Sequence, residues 1–127
     1  MNRLAYTLDT NAIVYYLKDD SRTVSLFREI FSHDAPIYIS AITELELFAF
    51  PSLGDQEEAL IEEIVSTLSV IPVDSHIARL ASHIRRGYRL KVPESVIAAT
   101  AMFTGSTLVT RNVRDFKKIA ALPLMQV

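Results

Sequence analysis

The chain has 127 residues, 50% of them hydrophobic and 22% charged, which fits one domain over residues 1–127 and excludes a disordered chain or a two-domain one. With no cysteine, disulfides, thiolate metal sites and cysteine nucleophiles are excluded together. The formal net charge of −2 argues against nucleic acid, but residues 1–78 carry 4 basic and 13 acidic side chains while residues 79–118 carry 9 basic and 2 acidic, an asymmetry able to build one basic face.

In chain order, residues 4–8 read as a short buried strand, and Asp9-Thr10-Asn11 supplies helix-cap chemistry before an apolar run. A second helix is expected over about 22–33, with Val24, Phe27, Ile30 and Phe31 on one face. Pro36 opens a strand at 37–40; Ser40 or Thr43 caps a third helix that reaches Phe50 and stops at Pro51. Residues 56–68 are amphipathic, with Leu60, Ile61, Ile64 and Leu68 inward, and a strand follows at 69–73. Asp74 caps a helix ending at Gly87, and Pro93 starts an apolar helix that Gly105 ends. Residues 107–110 form a strand; a short helix at about 116–121 and a strand at 123–127 close the chain. Short apolar strands alternating with helices imply an α/β fold with a mostly parallel sheet covered on both faces. Residues 95–110 are uncharged but hold Gly105 and several Ser and Thr, so they read as a buried helix and strand and not a membrane span. Asp9 and Asn11 interrupt the first apolar run, so no signal peptide is read there, and a soluble cytoplasmic protein is expected.

In such a sheet functional groups gather at the carboxyl ends of the strands. Asp9 follows the first strand; Ser40, Thr43, Glu44 and Glu46 follow the second; Thr110, Arg111, Asn112 and Asp115 follow the fourth; Glu94 opens the helix before it. Carboxylates converging on one sheet edge repel unless a cation joins them, and an oxygen-only set suits Mg²⁺ or Mn²⁺ over zinc. Each residue also has a purely structural reading. Asp9 suits a helix cap, Thr43-x-x-Glu46 a capping box, Glu94 the positive end of a helix, and Asp115 a surface pair with Arg111 or Arg114. Arg85, Arg86, Arg89 and Lys91 read either as a solvated helix end or as part of a phosphate-binding face. His33, His76 and His83 show no ligand pairing.

The segments LDTNAIVYYL, ISAITELELFAF, LKVPESVIAATA and LVTRNVRDF, in this order and spacing, resemble the PIN-domain ribonucleases, and among them the VapC-type toxins of prokaryotic toxin–antitoxin modules. The resemblance spans essentially the whole chain and implies a PIN-like three-layer α/β/α fold with about five strands. It implies metal-ligating, catalytic roles for Asp9, Glu46, Glu94 and Asp115, with Glu46 selected over Glu44 by the S-x-x-T-x-x-E-L pattern. Thr10, Asn11, Thr110 and Asn112 match the family's supporting polar residues, with Glu44 secondary. The implied activity is Mg²⁺- or Mn²⁺-assisted hydrolysis of RNA, with Arg85, Arg86, Arg89, Lys91 and Arg111 steering the backbone. The implied partners are a second copy, giving a homodimer, and a cognate antitoxin; Tyr15, Tyr16, Phe48, Phe50 and Leu53 are candidate interface residues. Glu94 departs from the Asp usual in the family, so a catalytically impaired PIN-like domain that binds RNA or protein stands as the alternative. A receiver-type signalling domain fits less well, because Asp9 has no acidic neighbour and Arg111, not Lys, follows the fourth strand. Three scattered glycines make no phosphate loop.

Overall fold

The computed structural model describes residues 4–127. Strand β1 (Tyr6–Leu8) leads into α1 (Thr10–Leu17) and α2 (Ser21–Ser32); β2 (Ile37–Ser40) into α3 (Ala41–Phe48) and α4 (Asp55–Ser66); and β3 (Ser69–Ile71) into α5 (Ser75–Tyr88) and α6 (Val92–Thr104). Strand β4 (Thr107–Thr110), the single turn α7 (Val113–Phe116) and β5 (Leu124–Gln126) complete the order. The strands pair as β3-β2-β1-β4-β5, and every pairing among the described residues is parallel. The expected three-layer α/β/α architecture with five strands is the one observed.

The layers follow from strand alternation. Neighbouring residues on a strand face opposite sides of the sheet, and Val70/Ile71, Leu108/Val109 and Leu124/Met125 each split between two apolar clusters. Ile13, Phe27, Leu47 and Ile61 fill the cluster beneath α1–α4. Ile77, Ile84, Val96 and Ile97 fill the one beneath α5 and α6.

The helices start where polar side chains satisfy their first N–H groups. Asp9 accepts from Ala12 N, Asp20 from Thr23 N, Ser40 from Ile42 N and Asp74 from Ile77 N. Helix ends depart from expectation. Helix α3 stops at Phe48, two residues short of Phe50, because Ala49 N turns back to Glu46 O. Helix α5 runs past Gly87 and closes on Arg89 at φ 57°, a left-handed turn held by Arg85 Nη1 donating to the Leu90 carbonyl at 2.7 Å. Gly105, at φ 63°, closes α6 as expected. Helix α7 lies three residues earlier than expected, since the chain turns at Asn112. Leu60 and Phe31, expected inward, are 50% and 39% exposed; Thr23 is fully buried on α2 instead, its hydroxyl satisfied by Asp20.

Candidate active site

With β1 central, the chain fills one side of the sheet through β2 and β3, then returns across β1 to lay down β4 and β5. The reversal falls between β1 and β4, and a crevice opens there at the carboxyl ends of the strands. Asp9 is the first residue beyond β1. Its N–H donates to the Val109 carbonyl at 3.1 Å, so its position is set by the sheet ladder. The side chain is 4% exposed; Oδ1 accepts from Ala12 N at 2.7 Å and Oδ2 accepts the Thr110 hydroxyl. Burial raises the Asp9 pKa above its ordinary value. The Thr110 and Ala12 hydrogen bonds oppose that rise, and the negative charges of Glu46 and Glu94 add to it. Asp9 is therefore both the cap of α1 and a carboxyl group whose charged form is opposed by burial and by its acidic neighbours.

Glu46 reaches the same crevice from the second turn of α3. The Thr10 hydroxyl lies 2.6 Å from Glu46 Oε1 and 3.1 Å from Thr43 Oγ1, so its single proton goes to the carboxylate. The capping-box reading of Glu46 is not realised, because Ser40, not Thr43, caps α3. Glu94 enters from the first turn of α6, and its Oε2 is buried with no hydrogen-bond partner. A small cleft of about 80 Å³ is lined by Asp9, Thr10, Asn11, Glu46, Glu94 and Asn112, among others; Glu44 is not in its wall.

Asp115 stands outside that wall. It is joined to it through Asn112, whose Nδ2 donates to Asp115 Oδ2 at 3.1 Å and whose N–H donates to the Thr110 hydroxyl at 2.9 Å. The four expected ligands thus divide into three around the cleft and one beside it. Among the described residues no three acidic or imidazole side chains converge closely enough to hold an ion as they stand. Two of the carboxylates are tethered separately by threonine hydroxyls, Asp9 by Thr110 and Glu46 by Thr10. The donor set nevertheless fits a hard divalent cation. All its ligands are oxygen, and one buried carboxylate oxygen has no protein partner, which is costly unless something else satisfies it.

Of the expected basic contacts, Arg86, Arg89 and Lys91 are exposed, with Lys91 at the N-cap of α6, three residues before Glu94. Arg85 is exposed too, but one guanidinium nitrogen is tied to Leu90. Arg111 turns away from the cleft: it stacks 3.8 Å from the Tyr15 ring centre and pairs with Asp20 at 2.9 Å. Of its partners, Asp20 and Thr23 were not singled out in the sequence. Of the candidate interface residues, Tyr15 and Tyr16 are occupied internally, Tyr16 stacking on Phe27. Phe50 stays 46% exposed and lines, with Leu17, Leu47, Leu53 and Leu60, an apolar groove of about 280 Å³ between α1 and α4.

Residues 6–122 match the model of the PIN domain family. The chain is 30% identical to a tRNA(fMet)-specific endonuclease VapC of Salmonella typhimurium, with 94% of this chain and 95% of the relative covered. It is 27% identical to ribonuclease VapC2 of Haemophilus influenzae over the same shares. Among solved structures, DNA-bound VapBC from Salmonella typhimurium superposes with a TM-score of 0.81 at 27% identity, covering 97% of this chain and 98% of the other. VapBC2 from Rickettsia felis, bound to a promoter DNA fragment, gives a TM-score of 0.83 at 23% identity, covering 98% and 99%, and speaks for the fold alone.

Proposed function

The chain belongs to the PIN-domain family, in its VapC branch, and from that premise we propose that it is a divalent-metal-dependent endoribonuclease and the toxin of a toxin–antitoxin pair acting in the cytoplasm. The observation that carries the reading is the buried, unpartnered Oε2 of Glu94 in a cleft shared with Asp9 and Glu46. Asp9, Glu46 and Glu94 would hold Mg²⁺ or Mn²⁺, with Asp115 beside them. When bound, the ion offsets charge developing on the phosphodiester and makes an attacking water more acidic.

The rest falls to the chain itself. Ala12 N and the Thr110 hydroxyl fix both oxygens of Asp9, so its carboxylate is aimed before any ligand arrives. The Thr10 hydroxyl does the same for one oxygen of Glu46. The Asn112 amide orients Asp115. Arg86, Arg89 and Lys91, exposed on and after the end of α5, would steer the backbone of an RNA strand toward Glu94. The groove between α1 and α4 fits the apolar face of an amphipathic antitoxin helix, and the relatives solved as VapBC complexes support such a partner. A homodimer is the expected assembly, which light scattering reads directly.

The test is cleavage of a defined RNA by the purified chain with Mg²⁺ or Mn²⁺ titrated in. Activity that rises with metal and vanishes in EDTA is expected. Undiminished cleavage in EDTA, or none at any metal concentration, would overturn the reading.

A further inference from the structure

We infer that Arg111 is a positioning residue, a clamp that fixes the loop carrying Thr110, Asn112 and Asp115, and not a contact to the RNA backbone; this rests on the nuclease reading above. The side chain is only 34% exposed, and two of its three guanidinium nitrogens are engaged in the fold. Nε donates to the Val127 carbonyl at 3.2 Å, and Nη2 donates to Asp20 Oδ2 at 2.9 Å and Thr23 Oγ1 at 3.2 Å. The guanidinium plane lies over Tyr15, 3.8 Å from the ring centre. One side chain thus joins α1, the cap of α2 and the residue after β5 to the end of β4.

Its neighbours in sequence explain why such a clamp matters. Thr110 donates to Asp9, Asn112 N donates to Thr110, and Asn112 Nδ2 donates to Asp115. The loop between β4 and α7 therefore carries hydrogen bonds to two of the candidate ligands. Helix α7 has four residues and no side-chain cap, too short to place Asp115 by its own stability. The loop needs an anchor from outside, and Arg111 is the residue between Thr110 and Asn112 that supplies one. Asp20 is well suited to receive it. Its carboxyl is held below its ordinary value by the two Thr23 donors first and by Arg111 after them, so it stays an anion to lower pH.

Two variants separate a clamp from a phosphate contact. Arg111→Lys keeps the charge but loses the planar fork and the stacking. Asp20→Asn keeps a good helix cap but loses the ion pair. For a clamp, both variants lower kcat on the order of 10- to 100-fold, with KM for RNA within about 2-fold and the salt slope of binding unchanged. For a phosphate contact, Arg111→Lys keeps most activity, Asp20→Asn has no effect on the slope, and removing the cation flattens the slope by about 1. That second pattern would overturn the inference. Hydrogen exchange at residues 112–116 supplies a readout independent of cleavage. It should quicken in both variants while helices far from the loop stay protected, and unchanged exchange there would also overturn the inference. If the wild-type chain cuts no RNA under any metal, the nuclease reading fails, and the exchange result still decides the clamp.

Discussion

Thr110→Val removes one hydroxyl while keeping shape in a fully buried strand position where a β-branched residue fits. That hydroxyl donates to Asp9 and accepts from Asn112 N. A hydrogen bond to a charged group contributes about 1.5–3 kcal/mol. The half-buried Asn112 N–H can recover part of its loss from water. For a chain of this size that is a fall in melting temperature of roughly 5–15 °C. Without the strongest influence holding the Asp9 pKa down, burial and the charges of Glu46 and Glu94 act unopposed by it, so the carboxyl stays protonated to higher pH. A carboxyl whose folded pKa is raised contributes stability below its unfolded pKa of 3.8 that is lost as pH rises through the folded value. The stability deficit of Thr110→Val should therefore widen as pH rises from the wild-type folded pKa to the variant's higher one, and the acidic limb of its pH–rate profile should move upward. Melts across that range and single-turnover cleavage read both effects. A variant with unchanged melting temperature and an unshifted acidic limb would refute the assigned hydrogen bond and its role.

Asp9→Asn keeps a capping side chain for α1 and removes a buried anion, so metal-free stability should hold or rise at neutral pH while cleavage collapses; a melt and a cleavage assay on one preparation decide it. Glu46→Gln should lose on the order of 10²-fold more activity than Glu44→Gln, since Glu46 lines the cleft and Glu44 points ~200° away around α3; the reverse ranking in kcat would misplace the motif by two residues. Glu94→Asp should preserve or raise cleavage, whereas Glu94→Gln should abolish Mn²⁺ binding measured by calorimetry. Retained Mn²⁺ affinity in Glu94→Gln would remove that residue from the ligand set.

Most of the sheet was legible because short apolar runs bounded by Asp, Ser and Pro specify buried parallel strands with little ambiguity. Periodicity failed where it has least to work on. Helix α7 is one turn and carries no repeat, so its start depends on Asn112 N finding the Thr110 hydroxyl, a bond invisible in the pattern. Leu60 reads as inward beside Ile61, but adjacent residues on a helix sit ~100° apart, and here Ile61 is buried while Leu60 is half-exposed at the groove. The choice of Glu46 over Glu44 came from a motif, since both follow the same strand. Arg111 was expected to steer the RNA backbone or to pair with Asp115; its pairing with Asp20, 91 residues away, follows from no local rule.

At Asp9 the cap role and the proposed ligand role are compatible. A helix cap needs a carboxylate oxygen held against the first turn, and the end of β1 puts that oxygen at the sheet's switch point. Asp9 therefore satisfies α1 with one oxygen and faces Thr110 with the other, leaving no rotamer freedom to lose when a ligand binds. Glu46 is tethered through Thr10, the very next residue after Asp9, so one backbone segment ties both carboxylates to the cleft. Among the described residues, Glu94 alone of the three around the cleft has no such tether on its buried oxygen. A side chain that caps nothing and receives no proton from the protein can be a methylene longer without disturbing the fold. It is therefore at Glu94, and not at Asp9 or Glu46, that this chain can depart from the usual aspartate and still present an oxygen to the same cleft.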